Sequence, residues 1–296
     1  MRLATVYQLA KDTGLEFWRD KVPRLGAALA FYTTLSLSPL LLVVMGVAGL
    51  VYGEDAARGQ IVHQIDGLVG DEGAVAVQSM LANNRSGAQS VVAMIVGIAT
   101  LVFGATGVFA QLQDALDSIW DVSPEKTGGG IWAAIRDRLL SFSLVCGMAF
   151  LLLVSLVLSA VLAAMHGLVG EWLPLGEVWL QILNGSISLL LSMALFAMIF
   201  KVLPHTRTRW SDVWVGAILT AILFNVGKFL IGLYLGRAAV GSSYGAAGSF
   251  VVLLVWIYYS TQILLFGAEF THLYALRHGS KSPAAVGGEP SKTDGG

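Results

Sequence analysis

Residues 250–269 read Phe250-Val-Val-Leu-Leu-Val-Trp-Ile-Tyr-Tyr-Ser-Thr-Gln-Ile-Leu-Leu-Phe-Gly-Ala-Glu269. A run this apolar is long enough to cross a bilayer as a helix, which needs about 20 residues. We therefore predict a membrane-spanning helix over about 247–275, with Glu269 inside it. A charged side chain within the bilayer costs about 3 kcal/mol even on lenient scales, so Glu269 is predicted to face a partner or a wet cavity.

The composition of the whole chain is that of a membrane protein. Apolar residues make up 56% of the 296 residues and charged residues only 12%, whereas soluble domains carry about 25% charged residues. The mean hydropathy is +0.73. The sequence predicts an all-α polytopic membrane protein with six transmembrane helices. Their approximate bounds are 25–52, 90–113, 138–165, 178–203, 212–236 and 247–275.

The distribution of Lys and Arg predicts the orientation of the chain. Fourteen of the 18 Lys and Arg residues fall in one alternating set of connecting segments, and three fall in the other. Because cytoplasmic segments carry the excess of positive charge, both termini are predicted to be cytoplasmic. The net charge of −1 offers no basic surface for a nucleic acid, so no nucleic-acid partner is expected.

The chain is predicted to have three parts. Residues 1–24 form an amphipathic segment that lies on the inner membrane surface, with a solvated tail as the alternative. Residues 25–275 form the six-helix transmembrane domain, which includes an external helical loop at 53–89 and a cytoplasmic loop at 114–137. Residues 276–296 are rich in Gly, Ser, Pro and Lys and form a disordered cytoplasmic tail.

Four polar residues lie at membrane depth in the last two predicted helices. At a rise of 1.5 Å per residue, Lys228 lies about 24 Å from the cytoplasmic start of its helix and Glu269 about 9 Å from the cytoplasmic end of the next. The two are not expected to pair. Lys228 is expected to extend outward, and Arg24 is the preferred partner of Glu269. Asn225 and Gln262 fall at similar depth, which predicts a hydrogen bond between their helices.

Three further residues complete the predicted set for substrate binding or gating. Tyr32 is expected to line a cavity together with Arg24 and Glu269. Pro39 removes one backbone hydrogen bond from the first spanning helix and leaves a carbonyl that could line the cavity, although a bend without function is an equal alternative. Tyr244 belongs to a Gly-rich turn at which the chain re-enters the membrane.

Pairs of glycines predict close contacts between helices. Gly232 and Gly236 are four residues apart, and so are Gly241 and Gly245. This spacing places both small residues of a pair on one side of a helix and allows a neighbouring backbone to approach. We therefore expect close packing at both pairs.

The sequence lacks the residue patterns of an enzyme. None of its five histidines has the spacing of a zinc site, and a single cysteine excludes a thiolate cluster. One helix face carries Asp114, Asp117 and Asp121. These carboxylates could bind a divalent cation, but a face exposed to solvent is the favoured interpretation. His272 follows Glu269 by one turn and could share its face, although an interfacial histidine near the helix end is the favoured alternative. No catalytic residue, metal site or cofactor is predicted.

Together these motifs resemble the YihY/BrkB family of bacterial inner-membrane proteins, formerly labelled as ribonuclease BN. The resemblance implies a six-helix protein of the bacterial inner membrane, and the family's links to lipids and the envelope favour transport. The matching segments are Arg24-Leu-Gly-Ala-Ala-Leu-Ala-Phe-Tyr32 with Pro39, Gln113-Asp-Ala-Leu-Asp-Ser-Ile-Trp120, Leu203-Pro204, Trp214-Val-Gly-Ala217, Tyr244-Gly-Ala-Ala-Gly248 and Leu265-Phe-Gly-Ala-Glu269.

Two functions fit these features. The favoured one is a transporter or exporter of a lipid or small solute, with a polar cavity near Glu269 and Arg24. The alternative is an envelope assembly or integrity factor that acts through a protein partner and transports nothing. Ribonuclease activity is disfavoured, because no cluster of metal ligands or general base lies outside the membrane. Membrane lipids are the expected partners, and a homo-oligomer is compatible with the sequence.

Overall fold

The computed structural model describes residues 3–52, 107–122, 176–206, 208–237 and 248–279, with isolated helical positions at 59, 75, 78, 147, 151 and 154. Every regular element in these ranges is a helix, which confirms the all-α class for this part of the chain. The helices are α1 (Leu3–Arg19), α2 (Val22–Tyr52), α3 (107–119), α4 (Gly176–Val202), α5 (Trp210–Arg237) and α6 (Gly248–Arg277).

Three of these helices are long and apolar enough to cross a membrane. The qualifying segments are Gly185–Val202 in α4, Trp210–Tyr234 in α5 and Phe250–Arg277 in α6. They match the last three predicted spans. The first predicted span is also a helix, α2, which begins three residues earlier than expected, at Val22.

Other predicted elements lie wholly or largely outside the described residues. The second span is described only from residue 107, where it continues into α3. The third span and the loop at 53–89 are represented only by isolated positions. The turn that contains Tyr244 and most of the C-terminal tail are not covered.

The chain divides into two compact units. Unit 1 contains Met1–Asp20, Leu116–Ile222 and Phe266–Gly296, and unit 2 contains Lys21–Ala115 and Leu223–Leu265. Helices α5 and α6 are each divided between the two units, α5 after Ile222 and α6 after Leu265.

Within unit 1, the first half of α5 packs against the second half of α6 through a reciprocal contact. A Cβ atom added to Gly216 of α5 would lie 1.6 Å from Thr271 Oγ1 of α6, and one added to Gly267 of α6 would lie 1.9 Å from Thr220 Oγ1 of α5. Thr220 donates to the carbonyl of Gly216 at 2.7 Å, and Thr271 donates to the carbonyl of Gly267 at 2.6 Å. Each threonine therefore covers the glycine of the other helix while its hydroxyl is satisfied within its own.

Within unit 2, the remaining halves of the same helices form an apolar core. Ile231 of α5 is buried with Val252 and Trp256 of α6. The ring of Phe224 meets Trp256 edge to face, with 6.0 Å between ring centroids. Gly227 completes this contact, because an added Cβ would lie 2.6 Å from Ile263 Cδ1.

The close contact predicted at Gly232 is not formed. A Cβ atom added there meets nothing within 4 Å. Four-residue spacing identifies residues on one helix face, but it does not say whether a neighbouring helix lies over that face. In this chain the neighbouring helix lies over Gly216 and Gly227 instead.

The glycine contacts predict opposite effects for the same substitution on one helix. Gly216→Ala should destabilise the protein by about 1–3 kcal/mol, because the new methyl group overlaps Thr271. Gly232→Ala should be neutral or stabilising by up to about 1 kcal/mol, since alanine favours helix and the space is open. Thermal midpoints of the purified proteins in detergent would measure both; equal midpoints would contradict the contact.

Candidate functional site around Glu269

Glu269 lies in the second half of α6 and is almost completely buried, with 1% of its surface exposed. Its Oε1 atom has no hydrogen-bond partner within the described residues. Glu269 is two residues from both Gly267 and Thr271, and at 100° per residue it therefore lies on the opposite side of α6 from the contact with α5. One side of α6 is held by α5, while the other carries the carboxyl group.

The neighbours of Glu269 are themselves acidic. Its carboxyl group forms a side-chain hydrogen bond with Asp20, and Glu16 and Asp121 are the other charged groups close to it. Two of these acids also contact a base, since Arg19 Nη2 lies 2.6 Å from Glu16 Oε2 and Arg19 Nε lies 3.6 Å from Asp20 Oδ1. The site therefore combines a buried carboxyl group with further acidic side chains, whose charge Arg19 partly offsets.

Helix α1, which packs along α6, carries Glu16, and Asp20 directly follows its last residue. Phe17 meets Phe266 with 5.9 Å between ring centroids. At the other end of the contact, Arg277 Nη1 lies 2.6 Å from Asp12 Oδ2. Phe266, Glu269 and Arg277 follow a spacing of three and eight residues, which places them on one face of α6. The face that carries Glu269 is thus the face that α1 covers.

The segment after α3 supplies the third acid. Asp121 has a left-handed backbone, with φ of 51°. The ring of Trp120 meets the ring of His272 edge to face at 5.1 Å. His272 Nε2 lies 3.8 Å from Asp121 Oδ2. The shared face of His272 and Glu269 is confirmed, because Asp121 neighbours both residues.

A second polar contact joins α3 to the loop between α4 and α5. Asp117 Oδ1 accepts the backbone N–H of His205 at 2.8 Å, and its Oδ2 lies 2.6 Å from His205 Nδ1. Beside this loop, the ammonium group of Lys201 in α4 donates to the carbonyl of Thr208 and lies 5.6 Å from the centre of the Trp210 ring in α5.

This contact corrects the expectation of a solvated acidic face at Asp117 only, since Asp114 and Asp121 are exposed as expected. Asp117 is half-buried and holds His205 from 88 residues away. Helix periodicity relates residues within one helix, so it gives no signal for such a long-range pair. Within the part of the chain that the structure describes, no group of three or more His, Cys, Asp and Glu side chains could hold a metal ion.

The predicted partner of Glu269 lies in the other unit. Arg24 is exposed in the first turn of α2. A contact between it and Glu269 would join the two units, and it stays a prediction. Asp20 and Glu16 are neighbours of Glu269 that the sequence did not predict, although their place just before the first span puts them within reach of the same membrane boundary.

The other predicted site residues are spread over unit 2. Tyr32 of α2 is 37% exposed, and its ring lies over Gly107 of α3, where an added Cβ would be 3.0 Å from Tyr32 Cδ1. Pro39 lies within α2. Asn225 and Lys228 are both half-buried on α5. Their roles in binding or gating stay predictions, as does that of Tyr244.

The predicted hydrogen bond between Asn225 and Gln262 is not formed. Neither amide atom of Gln262 has a hydrogen-bond partner among the described residues. The amide instead lies over Gly26 of α2, where an added Cβ would be 2.0 Å from Gln262 Nε2. Similar depth allowed the bond, but the side chain points toward α2 in this structure.

Helices long enough to span a bilayer, with a buried acidic site on one of them, are features of a helical membrane protein. The model of the family described as "Virulence factor BrkB" matches residues 14–288 of the chain. The chain belongs to the BrkB family, which confirms the resemblance seen in its motifs.

Several membrane proteins are similar to this chain over most of its length. A UPF0761 membrane protein of Rhodospirillum centenum is 28% identical over 91% of this chain and 58% of its own. Those of Tolumonas auensis and Delftia acidovorans are 29% and 31% identical over 86% of this chain, and over 81% and 59% of their own lengths. The chain thus spans about three fifths of the length of the Rhodospirillum centenum and Delftia acidovorans proteins. No solved structure matches it.

The contact between Asp117 and His205 predicts a stability difference between neighbouring positions. Asp117→Ala removes the acceptor for the backbone and ring of His205, which should cost about 1–3 kcal/mol. Ser118→Ala changes an exposed side chain on the same helix and should be neutral. Thermal unfolding in detergent measures both. A midpoint for Asp117→Ala equal to that of Ser118→Ala would contradict a stabilising role for the contact.

Proposed function

We propose that this protein is a multi-pass transporter or exporter of a lipid or small solute in the bacterial inner membrane, with both termini in the cytoplasm. Glu269 belongs to its binding or gating site. The observation that supports this function is a 1% exposed carboxyl group on a candidate membrane span, surrounded by acidic side chains. Ionisable residues inside a membrane are costly and mark substrate or proton pathways.

The acidic surroundings favour a binding role over a purely structural one. A structural clamp would pair Glu269 with a basic side chain, since breaking or omitting one partner of a buried ion pair is strongly destabilising. Within the described residues no ion pair forms at Glu269, and its charged neighbours are Asp20, Glu16 and Asp121. The arrangement instead suits a group that brings a positive charge or a hydrogen-bond donor.

The geometry suggests how such a group would bind. Glu269 shares a hydrogen bond with Asp20, while its Oε1 has no partner among the described residues. That atom can accept an N–H or O–H of a headgroup or solute. Asp20 is partly exposed, with 21% of its side chain accessible, so the acidic site is not wholly closed off.

This function predicts that Glu269→Gln impairs transport. The amide keeps the shape of the side chain but removes its charge, so the rate should fall at least about fivefold, equivalent to about 1 kcal/mol in the barrier. The assay is translocation of fluorescent NBD-labelled phosphatidylethanolamine in proteoliposomes, read by dithionite quenching. Uptake of radiolabelled choline and putrescine tests small cationic solutes.

The matched control is Asp114→Asn, which makes the same chemical change at an exposed position on α3 and should leave the rate unchanged. Equal rates for wild type and Glu269→Gln would contradict the role of Glu269. If the wild-type protein moves no probe and crosslinks in cells to one partner in a fixed ratio, the result supports the envelope-assembly alternative.

A further inference from the structure

Helix α1 presents an apolar face to its surroundings. Tyr7, Leu15 and Trp18 are 72%, 61% and 71% exposed, and Lys11 between them is also exposed. At 100° per residue these four side chains lie within an arc of about 80° on the helix. Large apolar side chains grouped on one exposed face indicate an interaction surface.

The opposite face of α1 is fixed to the protein. Leu9 and Thr13 are 1% and 0% exposed and lie about 180° from the exposed face. The Thr13 hydroxyl donates to the carbonyl of Leu9 at 2.8 Å, so this buried hydroxyl is satisfied within the helix. The exposed face therefore belongs to a helix that is already packed against α6.

The contacts with α6 set the direction of α1. Asp12 meets Arg277, the last residue of α6, whereas Phe17, further along α1, meets Phe266. The two helices therefore run in opposite senses, and Phe266 lies about 16 Å before Arg277 along α6. Because Phe266 is well inside a candidate membrane span, the end of α1 that carries Trp18 lies deeper than its beginning.

We propose that Tyr7, Lys11, Leu15 and Trp18 form a phospholipid-binding surface, and that α1 enters the membrane interface obliquely. Trp18 lies at the level of the acyl chains, and Tyr7 lies among the headgroups. Tyrosine and tryptophan favour this boundary because each combines an apolar ring with a polar tip. Lys11 can place its stem on apolar surface and its ammonium group beside an anionic phosphate.

This surface refines the expectation for residues 1–24. A helix lying flat on the membrane would hold Tyr7 and Trp18 at the same depth. The contacts with α6 instead place Trp18 deeper in the membrane than Tyr7. A measurement of the depth of these two residues therefore tests the proposal. It does not depend on the transport function, because lipid can bind α1 whether or not Glu269 acts on a substrate.

The experiment places a fluorescent NBD label at one position at a time in the full-length protein. In a Cys146→Ser background, Tyr7→Cys, Leu15→Cys or Trp18→Cys is labelled and reconstituted into nanodiscs of phosphatidylcholine and phosphatidylglycerol. Ser118→Cys, an exposed position on α3, is the matched control. Lipids carrying a nitroxide at carbon 5 or carbon 12 of the acyl chain act as shallow and deep quenchers.

We expect at least twofold more quenching at residues 15 and 18 than at residue 118. The ratio of deep to shallow quenching should be higher at residue 18 than at residue 7. Quenching at residues 15 and 18 no greater than at residue 118 would overturn the lipid surface. Equal depth ratios at residues 7 and 18 would overturn the oblique placement.

The same label tests the headgroup preference. At residue 15, nitroxide-labelled phosphatidylglycerol should quench about twofold more than labelled phosphatidylcholine, and Lys11→Gln should remove this difference. Equal quenching by both lipids in the unmodified Lys11 background would overturn the role of Lys11. Disulfide crosslinking of Leu15→Cys between two copies, together with loss of lipid quenching, would assign the face to a homo-oligomer and overturn the proposal.

Discussion

The reciprocal contact of Gly216 with Thr271 and of Gly267 with Thr220 is the constraint on which the acidic site depends. It allows close packing of α5 and α6 within unit 1, and both threonine hydroxyls are satisfied because each donates to a carbonyl of its own helix. With one side of α6 held in this way, the rotation of the helix about its axis is set. Glu269 is then directed away from α5.

The opposite side of α6 receives α1 and the end of α3. These two elements supply Asp20, Glu16 and Asp121 to one buried carboxyl group. Grouping acidic side chains in this way is opposed by desolvation and by like-charge repulsion. Arg19 offsets part of this cost through its ion pairs with Glu16 and Asp20.

Helix α1 connects this acidic site to its surroundings. Its buried face contacts α6 and includes Glu16, whereas its exposed face carries the aromatic and aliphatic side chains proposed to bind lipid. Both faces belong to one helix of 17 residues.

Much of this fold could be read from the sequence. Long apolar runs alone determined the class, the positions of α2, α4, α5 and α6, and the location of Glu269 inside a span, because hydropathy depends only on local composition. Tertiary structure decided which glycines meet a neighbour, that Gln262 lies over Gly26, and that Asp117 holds His205. It also decided that acids surround Glu269 within unit 1. Those outcomes depend on which helix faces meet, and periodicity within one helix does not specify its neighbours.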